Sequence, residues 1–365
     1  MSALHPLSIS ERLDAHPDFD GTGVCIAFAD SGFYPHPDLM RPQRRIRSYV
    51  DVTRPEPVPS EFFSANTHSW HGTMTACCAT GSGHLSSGRY RGLAHGAEVV
   101  LIKVASRGEI RGKYLASALR VPLRYPRLGI QVINVSIGVE RDDPHHEDVI
   151  AAVREVTAAG VVIVAAAGNA PGRSPGLPAA SEEVIAVGGE DDNNTRAGDD
   201  DSPWPSSHGQ GLGITYKPEL IAPSVWLAAP VLPGTLVARE ADALFSLRAL
   251  LDEAAVAMHW LDPSLVDADE KASVLATVEA IDARIARGRF INTHYQRVQG
   301  TSFAAPITSS VVVQMLQANP TLTPAQVREG LIATARRLHD VPSEVQGAGV
   351  LQPREAVMWA LERRR

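Results

Sequence analysis

The chain has 365 residues, 44% of them hydrophobic and 21% charged, with a formal net charge of −7. That length can bury one large core or two modest ones, and the composition is that of a globular protein. With no basic stretch longer than Arg363-Arg364-Arg365 and no apolar run long enough to span a bilayer, neither nucleic acid nor membrane is an expected partner.

Taken in order, residues 1–22 form a polar lead-in without the apolar core of a secretory leader, with a short helix expected around Ser10–Ala15. The three cysteines (Cys25, Cys77 and Cys78) are odd in number, and two are adjacent. Their spacing suits neither a disulfide framework nor a metal site; buried thiols in a reducing compartment, hence a cytoplasmic location, are expected. Residues 23–29 are continuously apolar, as in a strand buried on both faces, and end in Asp30-Ser31-Gly32. A carboxylate at the end of a buried strand suits a functional group in an α/β sheet, and Asp-Ser-Gly equally suits an ordinary turn. Residues 41–68, rich in Pro and Arg, read as a long surface loop. His71 then opens a small-residue stretch at helical spacing, Gly72 to Ala79.

From Ala97 onward strand and helix alternate. Strands are expected at 99–104, 131–135, 161–167 and 184–187, with helices at 113–123 and 147–159, the latter stopped by Gly160. Right-handed crossovers between such units give an α/β fold, a doubly wound, mostly parallel sheet with helices on both faces. Near the C-terminus, Gly300-Thr301-Ser302-Phe303-Ala304-Ala305-Pro306 leads into an apolar helix carrying Ile307, Val311 and Met315. Ser302 is placed either as a helix cap or as a nucleophile beside free backbone N–H groups, with Pro306 tolerated within about the first turn.

Four motifs together resemble the subtilisin-type serine proteases, the subtilase family: Asp30-Ser31-Gly32, His71-Gly72-Thr73, Ala166-Ala167-Gly168-Asn169 and Gly300 to Pro306, in that family's order. His36-Pro37-Asp38-Leu39, Asn134-Val135-Ser136-Ile137-Gly138 and Lys217-Pro218-Glu219-Leu220-Ile221-Ala222-Pro223 support it, and the match spans residues 20–230 and 295–355. The resemblance implies a serine endopeptidase without cofactor, acting on a polypeptide substrate. Ser302 would be the nucleophile, His71 the general base and acid, Asp30 the orienting carboxylate, and Asn169 with the Ser302 N–H the oxyanion donors. It further implies that peptides lie as an added strand against residues 105–110, including Ser106 and Gly108, and against Ser136-Ile137-Gly138, with Gly168 and Gly176 lining the specificity pocket.

Departures from the family are equally visible. Val139 replaces a common second glycine, and Arg107 and Glu109 bring charge to the outer subsites. The loop 81–91 has no Asp, Glu or Asn, so the calcium site of secreted relatives is expected to be absent and no metal is assigned. Asp191, Asp192, Asp199, Asp200 and Asp201 read as a solvated loop or a weak surface ion site. Only 29 residues precede Asp30, too few for a folding pro-domain, which resembles the intracellular branch. Between Pro223 and Gly300 two amphipathic helices are expected within one peptidase domain spanning 1–365. The first, at 241–260, carries Leu244, Leu247, Leu251 and Met258; the second, at 269–287, carries Val274, Val278, Ile281 and Ile285; Asp262-Pro263 separates them. This insertion (238–290) is either an inert hairpin or, from its place before the nucleophile turn, a gate or a docking site for a protein partner. The rival to an enzyme is a subtilase-like module that binds peptides or a partner without catalysis.

Overall fold

The computed structural model describes residues 6–54, 62–66, 68–260 and 268–364; Asp262-Pro263 and the side chain of Met258 lie outside the described residues. The central strands are β1 (Cys25–Asp30), β2 (Ile46–Asp51), β3 (Glu98–Lys103), β4 (Ile130–Val135), β5 (Val162–Ala166) and β6 (Ile185–Asp191). They continue with β7 (Ser202–Trp204) and β8 (Leu220–Pro223), in the spatial order β8-β6-β5-β4-β1-β3-β2. The pairings along this path are parallel, and β7 runs antiparallel to β6.

Alternation along the strands builds two cores. Ile26 and Phe28 of β1 and Val99 and Leu101 of β3 face helices α1 (Trp70–Thr80) and α6 (Thr301–Ala318). Cys25, Ala27 and Ala29, with Val100 and Ile102, face α2 (Gly112–Leu119) and α3 (His146–Ala158). With helices on both faces the inner strands β1, β4, β5 and β6 are buried at nearly every position, which is why these stretches read as mostly unbroken apolar runs. Helix α6 is buried almost all round, against β4, β5, β6 and β8, so it too shows no polar face.

Three expectations change. The loop at 41–68 contains β2, which pairs with β3 from Ile46↔Val99 to Asp51↔Lys103. It is an edge strand with mixed burial, and its arginine, serine and tyrosine (Arg47, Ser48 and Tyr49) hid it. The acidic run at 191–201 is not wholly solvated. Asp192 receives both Arg12 Nε and Nη2 at 2.6 Å, and Asp201 pairs with Arg336, so this loop ties both ends of the chain to the sheet. The N-terminal helix covers only Ile9–Arg12, closed by a capping box between Ser8 and Glu11.

Strands β9 (Leu227–Pro230) and β10 (Tyr295–Val298) pair antiparallel, and between them stand α4 (Leu236–Trp260) and α5 (Ala268–Arg287). Ala241, Ile281, Ile285 and Phe290 form a small core with Val231, packed by Leu244 and Leu251. Leu247, placed on that face from the sequence, is half exposed instead. Arg248 bonds Asp282 (2.8 Å) and Arg284 pairs with Glu240 across the two helices.

Candidate active site

The order of strands reverses around β1, with β3 on one side and β4 on the other, and the carboxyl ends of β1, β4 and β5 converge there. Asp30, the last residue of β1, is fully buried. Its Oδ1 accepts from the Ser31 N–H (2.6 Å) and lies 2.8 Å from His71 Nδ1. Thr75 Oγ, one turn along α1 from His71, reaches Oδ2 at 3.4 Å. Because a carboxylate only accepts, Nδ1 of His71 must carry the proton, which leaves the Nε2 lone pair free in the neutral ring. The His71 side chain is 21% exposed. Burial alone favours the neutral ring, but the Asp30 charge and hydrogen bond outweigh it and raise the His71 pKa above the usual histidine value.

Gly72 makes this approach feasible. A Cβ there would collide with the Gly32 carbonyl oxygen and stand 2.9 Å from Asp30 Cβ, so only glycine lets α1 come this close to β1. Trp70 meets the His71 ring edge-on at 5.4 Å, and Phe303, next to the serine, lies 6.0 Å from it.

Ser302 is the second residue of α6, where its N–H has no intrahelical acceptor. Its hydroxyl donates to the Ser136 carbonyl (3.2 Å) and is not bonded to His71. The Ser136 hydroxyl in turn donates to the Ser302 carbonyl at 2.8 Å. That carbonyl is available because Pro306, four residues on, has no N–H to offer it; Pro306 is the sixth helix residue, beyond the first turn. Asn134 Nδ2 donates to Ser136 Oγ (3.0 Å), and Ser309 Oγ donates to Asn134 Oδ1 (3.0 Å). This buried chain fixes α6 against the end of β4. Ser309 carries no motif of its own, and only the 175-residue span to Asn134 reveals it.

Asn169 is exposed on the loop after β5. Its Oδ1 accepts from the Thr301 N–H (3.0 Å) and hydroxyl (2.9 Å), which orients Nδ2 as the free donor. Gly300, at φ +124°, passes within 3.3 Å of Nδ2 measured from where its Cβ would stand, a conformation that favours glycine.

Ser136, Ile137, Gly138, Gly168, Asn169, Gly176 and Ser302 line one cleft of roughly 700 Å³. Val139 and Leu177 exchange both backbone hydrogen bonds at 2.9 Å along its wall, and a Cβ at Gly138 or Gly176 would press on the carbonyl of Leu177 or Val139 at 2.9 and 2.5 Å. Ser106 and Gly108 are not in that lining. They belong to a tight turn in which Ser106 and Glu109 exchange backbone bonds at 3.0 Å, with Arg107 and Gly108 at positive φ. Only Ile110 from that segment reaches the cleft.

His36, Asp38 and Cys77 place ligand-type atoms within 4.8 Å of one another in a fully buried cluster. Each is already engaged or masked by burial. Asp38 accepts from Tyr295 Oη (2.7 Å) and the Leu85 N–H (3.3 Å), and His36 Nδ1 accepts from the Asp38 N–H (3.2 Å). Burial, opposed by Asp38, lowers the His36 pKa to about 4, and burial raises that of the Cys77 thiol.

The subtilase family profile matches residues 21–349. Serine protease AprX of Bacillus subtilis is 30% identical over 348 residues, covering 92% of this chain and 66% of that protein. Mycosin-1 of Mycobacterium tuberculosis is 26% identical over 376 residues, covering 95% of this chain and 71% of that one. Among solved structures, fervidolysin from Fervidobacterium pennivorans, described as a keratinolytic enzyme related to subtilisin, superposes with a TM-score of 0.62 at 20% identity. That match covers 93% of this chain and 43% of fervidolysin, and it shows a shared fold. The chain therefore spans just under two thirds of AprX and less than half of fervidolysin.

Proposed function

The chain belongs to the subtilase family, and from that premise we propose that it is a serine endopeptidase using Asp30, His71 and Ser302 as its triad. The observation that carries this reading is the buried Asp30 carboxylate held 2.8 Å from Nδ1 of a partly exposed His71, whose ring lies 6.0 Å from that of Phe303, the residue after a serine at a helix start. Ser302 turns about χ1 from the Ser136 carbonyl toward His71 Nε2, which removes its proton as Oγ attacks the scissile carbonyl. Asp30 stabilises the imidazolium that forms. The tetrahedral oxyanion receives the Ser302 N–H and Asn169 Nδ2, the two donors left free by the helix start and by the Thr301–Asn169 pairing. Collapse expels the amine with the proton held on His71, and water repeats the sequence on the acyl-enzyme. The peptidase domain spans the chain, with 238–290 as an insertion in it. Three free cysteines, two of them buried, favour a reducing, cytoplasmic setting.

Hydrolysis of an unstructured peptide, with folding checked by circular dichroism, tests the reading. We expect Asn169→Ala to lower kcat about 10²–10³-fold, a magnitude known from this family, and Ser302→Ala to lower it by about 10⁶. Equal hydrolysis by wild type and Ser302→Ala contradicts the assignment.

A further inference from the structure

The cleft that holds Ser302 and Asn169 has both apolar and acidic residues in its lining. One part of its wall is apolar: Ala167, Leu177 and Ala179 are buried there beside the backbone of Gly138 and Val139. Its lining also includes Glu140, Asp142 and Asp143 on the segment that follows this wall. Arg173 is the cation in the same lining, 3.6 Å from Glu140. Three carboxylates against one guanidinium leave a surplus of two negative charges. Arg141 does not line the cleft, and its guanidinium donates to the carbonyls of Pro175 (2.9 Å) and Gln210 (2.6 Å).

The carboxylates differ in what they already do. Asp143 is fixed by the Gly112 N–H (3.2 Å) and the His145 N–H (2.8 Å), both neutral donors that leave its charge in place. Asp142 has no hydrogen bond or ion pair among the described residues. An apolar slot bordered by uncompensated carboxylates matches a side chain with an apolar stem and a cationic end.

We infer that this cleft selects lysine or arginine at the substrate residue on the acyl side of the scissile bond, the stem on the Leu177–Ala179 wall and the charged head against Asp142, Asp143 and Glu140. This inference rests on the peptidase reading above and adds a substrate class to it. Asp142 is the specificity-determining residue, because its charge is the one with no partner inside the protein.

The test measures kcat/KM of the full chain on unstructured peptides that differ only at that position, carrying Lys, Arg, Leu or Glu. Lys and Arg should exceed Leu by about tenfold at low salt, and the ratio should shrink as salt screens the exposed carboxylates. Asp142→Arg should invert the preference toward Glu, which loss of packing alone would not do. Leu at or above Lys, Glu favoured through Arg173, or a Lys-to-Leu ratio unmoved by salt and by Asp142→Arg each overturns the inference. Labelling of Ser302 by a fluorophosphonate separates the two readings. A labelled enzyme with the wrong preference refutes the specificity alone, whereas no labelling and no hydrolysis of any peptide refutes the peptidase reading and this inference with it.

Discussion

His71 is under two opposing pressures, and their balance sets the pH behaviour. Burial favours the neutral ring, and the Asp30 charge with its 2.8 Å hydrogen bond overcomes this and raises the pKa. The protonated ring thus stabilises the fold fully below the unfolded-state value of about 6.5 and ceases to do so as pH rises through the folded value. On the proposed reading activity runs the other way, since a histidine base must be neutral. We expect kcat/KM on an unstructured peptide to fall on acidification with a midpoint above about 6.5, and Asp30→Asn to lower both that midpoint and, by about 10⁴, kcat. A rate flat from pH 5 to 8 (or a midpoint that Asp30→Asn leaves in place) would contradict His71 as the base. Single residues were the most legible scale. Asp30, His71 and Ser302 each sit at an end of an element whose pattern is local, and Asn169 follows such an element on a short loop. What the pattern concealed was orientation: nothing in the sequence says that the Ser302 hydroxyl rests on the Ser136 carbonyl, or that Ser309 supports it through Asn134.

Elements bring these groups together only because certain positions lack a side chain or a donor. Gly72 lets α1 lie against the end of β1, and Pro306 releases the Ser302 carbonyl to Ser136. Gly72→Ala should cost about 1–3 kcal/mol, as overpacking against backbone does, and should lower kcat by moving His71 from Asp30; thermal melts and the pH profile measure both. Unchanged stability with an unchanged pH profile would show that α1 does not need glycine there. Buried strands and helices were readable from their unbroken apolar runs, whereas β2 was not. It lies at a sheet edge with only its two end residues buried, and Arg47, Ser48 and Tyr49 in the half-exposed row between them resemble loop composition. Pro306 was misjudged for a related reason, since its tolerance inside α6 depends on a partner 170 positions earlier in the chain, Ser136.

At the scale of the whole molecule, tertiary pairing turns local motifs into a site. The buried Arg12–Asp192 pair and the half-buried Arg336–Asp201 pair clamp segments near both ends of the chain onto the loop after β6, contacts that the acidic composition of that loop disguised. Strands β9 and β10 likewise join the two long helices to the machinery. Ala228 of β9 accepts from Cys78 of α1 (3.8 Å), and β10 leads directly to Gly300 and Ser302. The Glu240–Arg284 pair holds the helix ends side by side, so residues 239–287 can be replaced by a short linker. If the helices gate the cleft, that deletion changes turnover or cleavage-site choice on an unstructured peptide; identical values for both would show them to be inert. The central claim, that Asp30, His71 and Ser302 act as one unit, is tested most directly by mapping a fluorophosphonate adduct on the folded chain by mass spectrometry. The account predicts a single adduct on Ser302 in the wild type, lost in His71→Ala and strongly slowed in Asp30→Asn. An adduct elsewhere, none on Ser302, or one on Ser302 that forms equally fast without His71 would contradict it.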